Sequence, residues 1–190
     1  LAAGPSLQDI LPHLKEIKNK AIIVCVDTAL RFCIKYNVEP DFIVLTDPQY
    51  WAYKHIDGIK SPSSILITES AVYPSVFRFL CKKIICCKSN FPLEHYFDSF
   101  RSEKGTLVAG GSVASTAWNF AQYAGASEIY VAGLDLAFPN KQTHIKGSTF
   151  EQATHTTSKR IATAETSNMP ILFSGNACYE KNYKQENVLT

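Results

Sequence analysis

The chain lacks any long apolar run. Its longest clean stretch, residues 21–26, is far short of the about 20 residues a bilayer-spanning helix needs, so no membrane span is expected. It lacks a basic stripe as well. Nineteen Lys and Arg stand scattered against 17 Asp and Glu, for a formal charge of +2. Nucleic-acid binders gather positive charge on one face or helix, so nucleic acid is not an expected partner. Leu1 opens directly into Ala2-Ala3-Gly4-Pro5-Ser6 with no basic segment and apolar stretch behind it, so no secretory signal is expected. The six cysteines, Cys25, Cys33, Cys81, Cys86, Cys87 and Cys178, form no C-x-x-C pair and no Cys/His spacing of the zinc type. No metal site is expected from them. They read as buried small hydrophobes in a reducing, cytoplasmic compartment, with a catalytic thiol as the alternative. There is no G-x-G-x-x-G, no Walker loop and no G-x-S-x-G. The standard dinucleotide fingerprint, the P-loop and the serine-hydrolase elbow are therefore excluded.

What is present is a core and a rhythm. Forty-six per cent of residues are hydrophobic and only 19% charged, which rules out disorder for the chain as a whole. Apolar, β-branched runs at 21–26, 42–46, 65–68, 83–87, 128–132 and 171–174 predict strands. Helical patterns lie between them. Leu7, Ile10, Leu11, Leu14 and Ile17 share one face, with Ser6 as N-cap. Ala29, Leu30, Cys33 and Ile34 share a second. Val113, Ala114, Ala117, Phe120, Ala121 and Ala124 share a third, closed by Gly125. This alternation predicts an α/β fold: a Rossmann-like three-layer sandwich with a mostly parallel sheet of six to seven strands. Residues 1–175 are expected to form one nucleotide-binding domain whose first strand lies mostly upstream of Leu1. Residues 176–190 are expected to be an extension, an edge strand or a lead into another domain. Residues 139–158 are polar and aperiodic, and are expected to form a functional loop or lid.

Ligands of open α/β sheets bind beyond the carboxyl ends of the strands, so the residues after each strand are the candidates. First comes Gly4-Pro5-Ser6, a tight turn at a helix N-terminus that suits a phosphate or is a plain capped turn. Asp27-Thr28 follows the second strand. Asp27 is a helix cap or an acceptor for a ribose or base. Asp47, ahead of Pro48, contacts substrate or a phosphate-bound metal, or is a turn carboxylate. Gly110-Gly111-Ser112 precedes the best amphipathic helix and offers a second anion-binding terminus, or close packing. Asp135 follows Gly133-Leu134. His144, in the polar stretch with Lys146, has the chemistry of a general base, or is a solvated loop histidine.

Seven segments then resemble a known domain: 2–7, 26–30, 39–44, 46–49, 109–114, 133–138 and 143–147. In this order they are similar to the central domain of the motility accessory factors, implicated in transferring nonulosonic acids to flagellin. The same domain family includes archaeal hydroxymethyl-dihydropterin pyrophosphokinases. Gly4-Pro5-Ser6, Asp27, Asp47-Pro48 and Gly133-Leu134-Asp135 also resemble, more distantly, positions of small bacterial sialyltransferases. Those enzymes bind a cytidine monophosphate (CMP) sugar and need no metal for the chemistry. They carry Asn where this chain has Ala3, Asp27 and Asp47. Two carboxylates beside a phosphate repel it unless protonated, paired or bridged by a cation.

The resemblance implies a CMP-sugar glycosyltransferase with flagellin or another protein as acceptor and no required cofactor. Gly4, Pro5, Ser6, Asp27, Thr28, Asp47, Gly110, Gly111 and Ser112 would bind the donor, and His144 and Asp135 would be catalytic. Two alternatives stand beside it. One is a magnesium-dependent transfer of diphosphate from ATP to a hydroxymethylpterin, with Asp27, Asp47 and Asp135 gathering the metal. The other is a non-catalytic nucleotide-binding docking module.

Overall fold

The computed structural model describes residues 1–89, 91–100, 104–108, 110–172, 177–179 and 187–189. They fall into two compact units, one of Leu1 with residues 11–130, the other of residues 2–10 and 131–190. The first apolar stripe is not one helix. It runs as α1 (Leu7–Ile10), a 3-10 turn at Leu11–His13, and α2 (Leu14–Lys18). Pro12 is the cause, because it has no N–H to donate and its ring crowds the preceding turn. Leu7, Leu11 and Leu14 are still all buried.

In the first unit, β1 (Val24–Val26), β2 (Phe42–Leu45), β3 (Ser61–Glu69) and β4 (Cys81–Cys87) form a sheet in that order. All three pairings are parallel, with Val26 opposite Val44, Leu45 opposite Thr68 and Glu69 opposite Cys87. Parallel neighbours need crossovers. These are α3 (Asp27–Lys35), α4 (Tyr50–Ile56) and a 3-10 turn at Pro74–Arg78. Two further helices follow, α5 (Pro92–Asp98) and α6 (Val113–Tyr123). Both α3 and α6 pack on β1 and β2, and Phe120 of α6 meets Phe42 with ring centroids 5.0 Å apart. Ile43, Val44 and Leu45 are wholly buried, as a strand covered on both faces requires. β4 is the last strand of the sheet among the described residues, and just past its end Lys88 N–H donates to Gly105 O at 2.9 Å. Lys82 and Lys83 are exposed on this strand, which discourages pairing with another chain. Leu1 lies strand-like beside β1: its amine donates to Val24 O (2.6 Å) and its carbonyl accepts from Val26 N–H (3.0 Å).

β3 begins four residues before the predicted run. Its Ser61-Pro62-Ser63-Ser64 start looks like a turn, but Ser61 and Ser64 are buried and their hydroxyls bond each other at 2.6 Å.

The second unit holds α1, α7 (Thr149–Thr157) and α8 (Ala164–Leu172). It also holds an antiparallel pair, β5 (Ala177–Tyr179) with β6 (Asn187–Leu189). The predicted loop at 139–158 is therefore half helix. Ser148 caps α7 by accepting from Glu151 N–H at 3.2 Å, and Glu151 Oε2 accepts from Gly147 N–H at 2.5 Å. That is the Ser-x-x-Glu signature of a helix start.

The chain is thus an α/β fold with a parallel sheet flanked by helices. The predicted count of six to seven strands in one sheet is not what the described residues show: four are parallel and two pair separately. Residues 128–132 are not a strand. Tyr130 is 86% exposed, and among the described residues the run's backbone bond is to Ala2, whose N–H donates to Ala132 O at 2.8 Å. β-propensity without a partner along its length gives no ladder. Ile171 and Leu172 end α8 rather than begin a strand, while 173 and 174 lie outside the described residues.

Candidate functional site

The carboxyl ends of β1 and β2 put Asp27 and Asp47 on neighbouring strands of the first unit. Asp27 follows Val26 directly and opens α3, where a carboxylate complements the helix dipole. It is only 3% exposed. Burial pushes its pKa up to about 7, and the charge of Asp47 pushes the same way, while backbone N–H bonds from Thr28 and its own amide pull back. Asp47 is half-buried, and its Oδ1 accepts from Gln49 N–H at 2.8 Å, an Asx turn that aims the loop leaving β2. Thr28 is half-buried in the first turn of α3.

Gly110, Gly111 and Ser112 sit at the start of α6 in the same unit. Gly110 packs on Ser115, whose Oγ would lie 2.7 Å from a Cβ built there. Gly111 has φ +85°, with open space where a Cβ would go. Ser112 and Ser115 form a reciprocal cap, Ser115 N–H donating to Ser112 Oγ at 3.3 Å. Part of this terminus is therefore already satisfied by the chain itself.

The second unit gathers Gly4, Pro5, Ser6 and Asp135. Gly4 N–H donates to Gly133 O at 2.7 Å, and Ser6 N–H donates to Asp135 Oδ2 at 3.1 Å. A Cβ at Gly4 would collide with Asp135 Oδ2 and the Gly133 carbonyl. Gly133, at φ +75°, is held as tightly against the Ala2 carbonyl. Asp135 thus binds the Gly4-Pro5-Ser6 turn, taking a backbone donor that a phosphate would otherwise find.

His144 belongs to this second unit too. Its ring stacks on Phe150 (centroids 4.6 Å apart), and its Nδ1 lies 3.2 Å from Thr143 Oγ1. Burial lowers its pKa, opposed by nearby Glu151, so near pH 7 the imidazole is mostly neutral and able to take a proton. Lys146 and His155 are exposed. The buried N–H of Ile145 bonds Ala3 O at 2.9 Å and anchors the segment.

Residues 1–141 match a family model described as 6-hydroxymethylpterin diphosphokinase MptE-like. The chain belongs to the MptE-like family. Two uncharacterized proteins of Treponema pallidum (strain Nichols) are relatives of this MptE-like chain. One is 40% identical over 151 residues, covering 73% of this chain and 38% of the relative. The other is 28% identical over 156 residues, covering 81% and 34%. The chain thus spans under two-fifths of the curated relatives it matches. Among solved structures, a MAf glycosyltransferase from Magnetospirillum magneticum AMB-1 superposes with a TM-score of 0.64 at 24% identity. That match covers 71% of this chain and 22% of the other, and it supports the α/β architecture described above.

The MptE-like sheet also carries a group that the sequence reading passes over. At the carboxyl ends of β3 and β4 a cleft of about 720 Å³ is lined by Ser70, Phe77, Phe91, Phe97, Glu94 and Lys104, among others. Lys104 and Glu94 form an ion pair there, with side chains 16% and 9% exposed. Ser70, Glu94 and Lys104 are 10 to 34 positions apart, and no motif joins them. Only the topology does. The buried reading holds for three cysteines and not for two others: Cys25 and Cys33 are wholly buried and burial pushes the Cys87 thiol up to about 12, whereas Cys81 and Cys86 are half-buried. Among the described residues no group of three or more His, Cys, Asp or Glu side chains is close enough to hold a metal ion. No described helix is long and apolar enough to cross a membrane.

Proposed function

We propose that this is a cytoplasmic glycosyltransferase domain that binds a CMP-activated nonulosonic acid and transfers the sugar to a Ser or Thr hydroxyl of flagellin. The observation that carries the reading is Asp27. A carboxyl with a pKa of about 7 is half protonated at neutrality and largely so below it, and in that form it donates a hydrogen bond to a phosphate oxygen rather than repelling it. The difficulty of an Asp where sialyltransferases carry Asn is thereby reduced. The 0.64 TM-score likeness to a MAf glycosyltransferase supports the choice of chemistry.

In this reading Asp27, Thr28 and Asp47 face the donor in the first unit, with Gly110, Gly111 and Ser112 close to its phosphate. Gly4, Pro5 and Ser6 shape the turn that Asp135 holds. The acceptor oxygen attacks the anomeric carbon, the bond from that carbon to the phosphate oxygen breaks, and CMP leaves with the electron pair. His144 takes the acceptor proton. Catalysis is positioning and charge stabilisation, with no metal required.

The family description favours a second reading, diphosphate transfer from ATP to a hydroxymethylpterin. Magnesium is typically held by one or two carboxylates plus substrate phosphates, and Asp27 with Asp47 supplies such a pair. Thermal melting with CMP and with ATP, each with and without magnesium, separates the two. A ligand at 100 times its Kd adds about 2.7 kcal/mol, or roughly 5–10 °C in Tm for a chain of this size. The glycosyltransferase reading expects a shift with CMP that a chelator leaves intact and Asp27→Ala abolishes. A shift with ATP only in the presence of magnesium moves the assignment to diphosphate transfer. No shift with either, in a folded chain, leaves a docking module.

A further inference from the structure

The first turn of α4 carries aromatic rings that the site described above does not use. In a parallel sheet, a helix that follows a strand starts at that strand's carboxyl end. Tyr50 and Trp51 therefore lie at the edge that holds Asp47. Tyr73 reaches the same edge from the next crossover, just ahead of the turn at Pro74–Arg78. Side chains of a helix lean toward its N-terminus, which in this first turn means toward the edge.

The rings brace one another. Tyr73 meets Tyr50 and Tyr53 with centroids 5.2 and 5.6 Å apart, and Tyr50 meets Trp51 edge-on at 5.8 Å. One turn further on, Tyr53 and Lys54 both donate to Asp57, at 2.8 and 2.7 Å. Lys54 Nζ stands 5.6 Å from the Tyr50 ring centre, a cation–π contact that holds this ring too. Yet Trp51 is 56% exposed and Tyr50 44%. Tryptophan is on average a highly buried residue, so an indole held by a neighbour and left this open is a prepared stacking surface.

Position selects what stacks there. Asp47 and Tyr50 are three residues apart, at most about 10 Å of chain. A nucleotide bridges such a span from phosphate to base. A bare phosphate or a saturated sugar has no planar π-face to offer the indole, and a nucleobase has one. We propose that Trp51, with Tyr50 beside it, is a stacking platform for the base of a nucleotide whose phosphate lies at Asp27 and Asp47. Every base has a π-face, so the platform adds affinity without choosing the base. The inference rests on the reading of that edge as a nucleotide site, and it holds for a CMP donor and for ATP alike.

The chain has two tryptophans, so Trp118→Phe leaves Trp51 as the single indole and its fluorescence as the reporter. That variant is titrated with CMP, cytidine and ribose 5-phosphate, and calorimetry gives affinities for the parent, Trp51→Ala and Trp51→Phe. CMP and cytidine should quench Trp51, and ribose 5-phosphate should not. CMP should bind about 5- to 100-fold more tightly than ribose 5-phosphate. Trp51→Ala should lose that factor for CMP and leave ribose 5-phosphate unchanged, while Trp51→Phe, which keeps a flat face, should retain most of it. Should Trp51→Ala not fold, the fluorescence titration decides alone. Equal binding of CMP and ribose 5-phosphate, an unchanged Trp51 emission, or a CMP preference that survives Trp51→Ala overturns the platform. If ribose 5-phosphate then still binds and depends on Asp27, the phosphate reading stands without it. If ATP with magnesium quenches Trp51 and CMP does not, the platform stands and the CMP-donor reading falls. If flagellin or hydroxymethylpterin needs Trp51 and no nucleotide does, the rings serve the acceptor and the platform falls. No binding of any of these overturns the platform and the nucleotide reading together.

Discussion

Asp27 is a carboxyl whose surroundings oppose its usual charge. Its carboxyl rises from an ordinary 3.8 to about 7 on folding, with burial as the main cause. The folded chain therefore holds a proton between about pH 4 and pH 7 that the unfolded chain has released. Stability must fall as pH rises through that window, because the native state binds more protons there. The full difference is on the order of 4 kcal/mol, taking about 1.36 kcal/mol per pKa unit. Asp27→Asn cannot ionise and should lack this slope. Urea midpoints of both proteins from pH 4 to 8 check it: the Asn variant should gain on the parent steadily, and parallel curves would show that Asp27 is solvated. Donor affinity should behave alike, weakening through pH 7 in the parent and not in Asp27→Asn.

Among the elements, α6 carries a reciprocal cap. Ser112 and Ser115 satisfy each other, and Gly111 turns the chain into the helix. Ser112→Ala should cost about 1 kcal/mol and lower Tm by about 2–4 °C. Ser112→Asp should restore it, since a carboxylate accepts the same N–H. If Ala and Asp melt alike, the cap is not the source of the stability. What was legible in the sequence follows from the range of each interaction. β1 and β2 are continuous apolar runs and were plain, and so was the turn chemistry of Gly4, Gly110 and Gly111. The pause at Pro12 and the Ser148-x-x-Glu151 start of α7 were also written locally, but each was hidden by a stronger pattern: an apolar stripe in one case, a polar stretch in the other. The serines at the start of β3 are buried through mutual bonding, which no local pattern announces. Glu94, Lys104 and Ser70 meet only because parallel strands end side by side. That Asp27 and Asp47 each follow a strand was readable from the apolar runs, whereas the pairing of those strands and the burial that shifts Asp27 were not. Asp135 could be seen as a strand-end carboxylate, but its hold on the Ser6 amide needed coordinates.

At the scale of the whole molecule, the expected site residues fall in different units. Asp27, Thr28, Asp47 and the start of α6 belong to the first, while the Gly4 turn, Asp135 and His144 belong to the second. On the proposed reading, donor binding and proton removal are assigned to different residues, and the two roles can be measured apart. His144→Gln keeps a polar side chain against Phe150 but has no basic nitrogen. General-base catalysis contributes about 10²–10⁴-fold, so the transfer rate should fall by roughly that factor while CMP affinity stays within about twofold. Asp27→Ala should weaken CMP first. The pH profile adds an independent sign. Burial lowers the His144 pKa, so its base form persists below the ordinary 6.5, and the acid limb of the parent's rate should lie below that value. His144→Gln should lose that limb. If His144→Gln instead lowers rate and CMP affinity together and melts early, the ring supports the second unit through Phe150, and the proton is taken elsewhere.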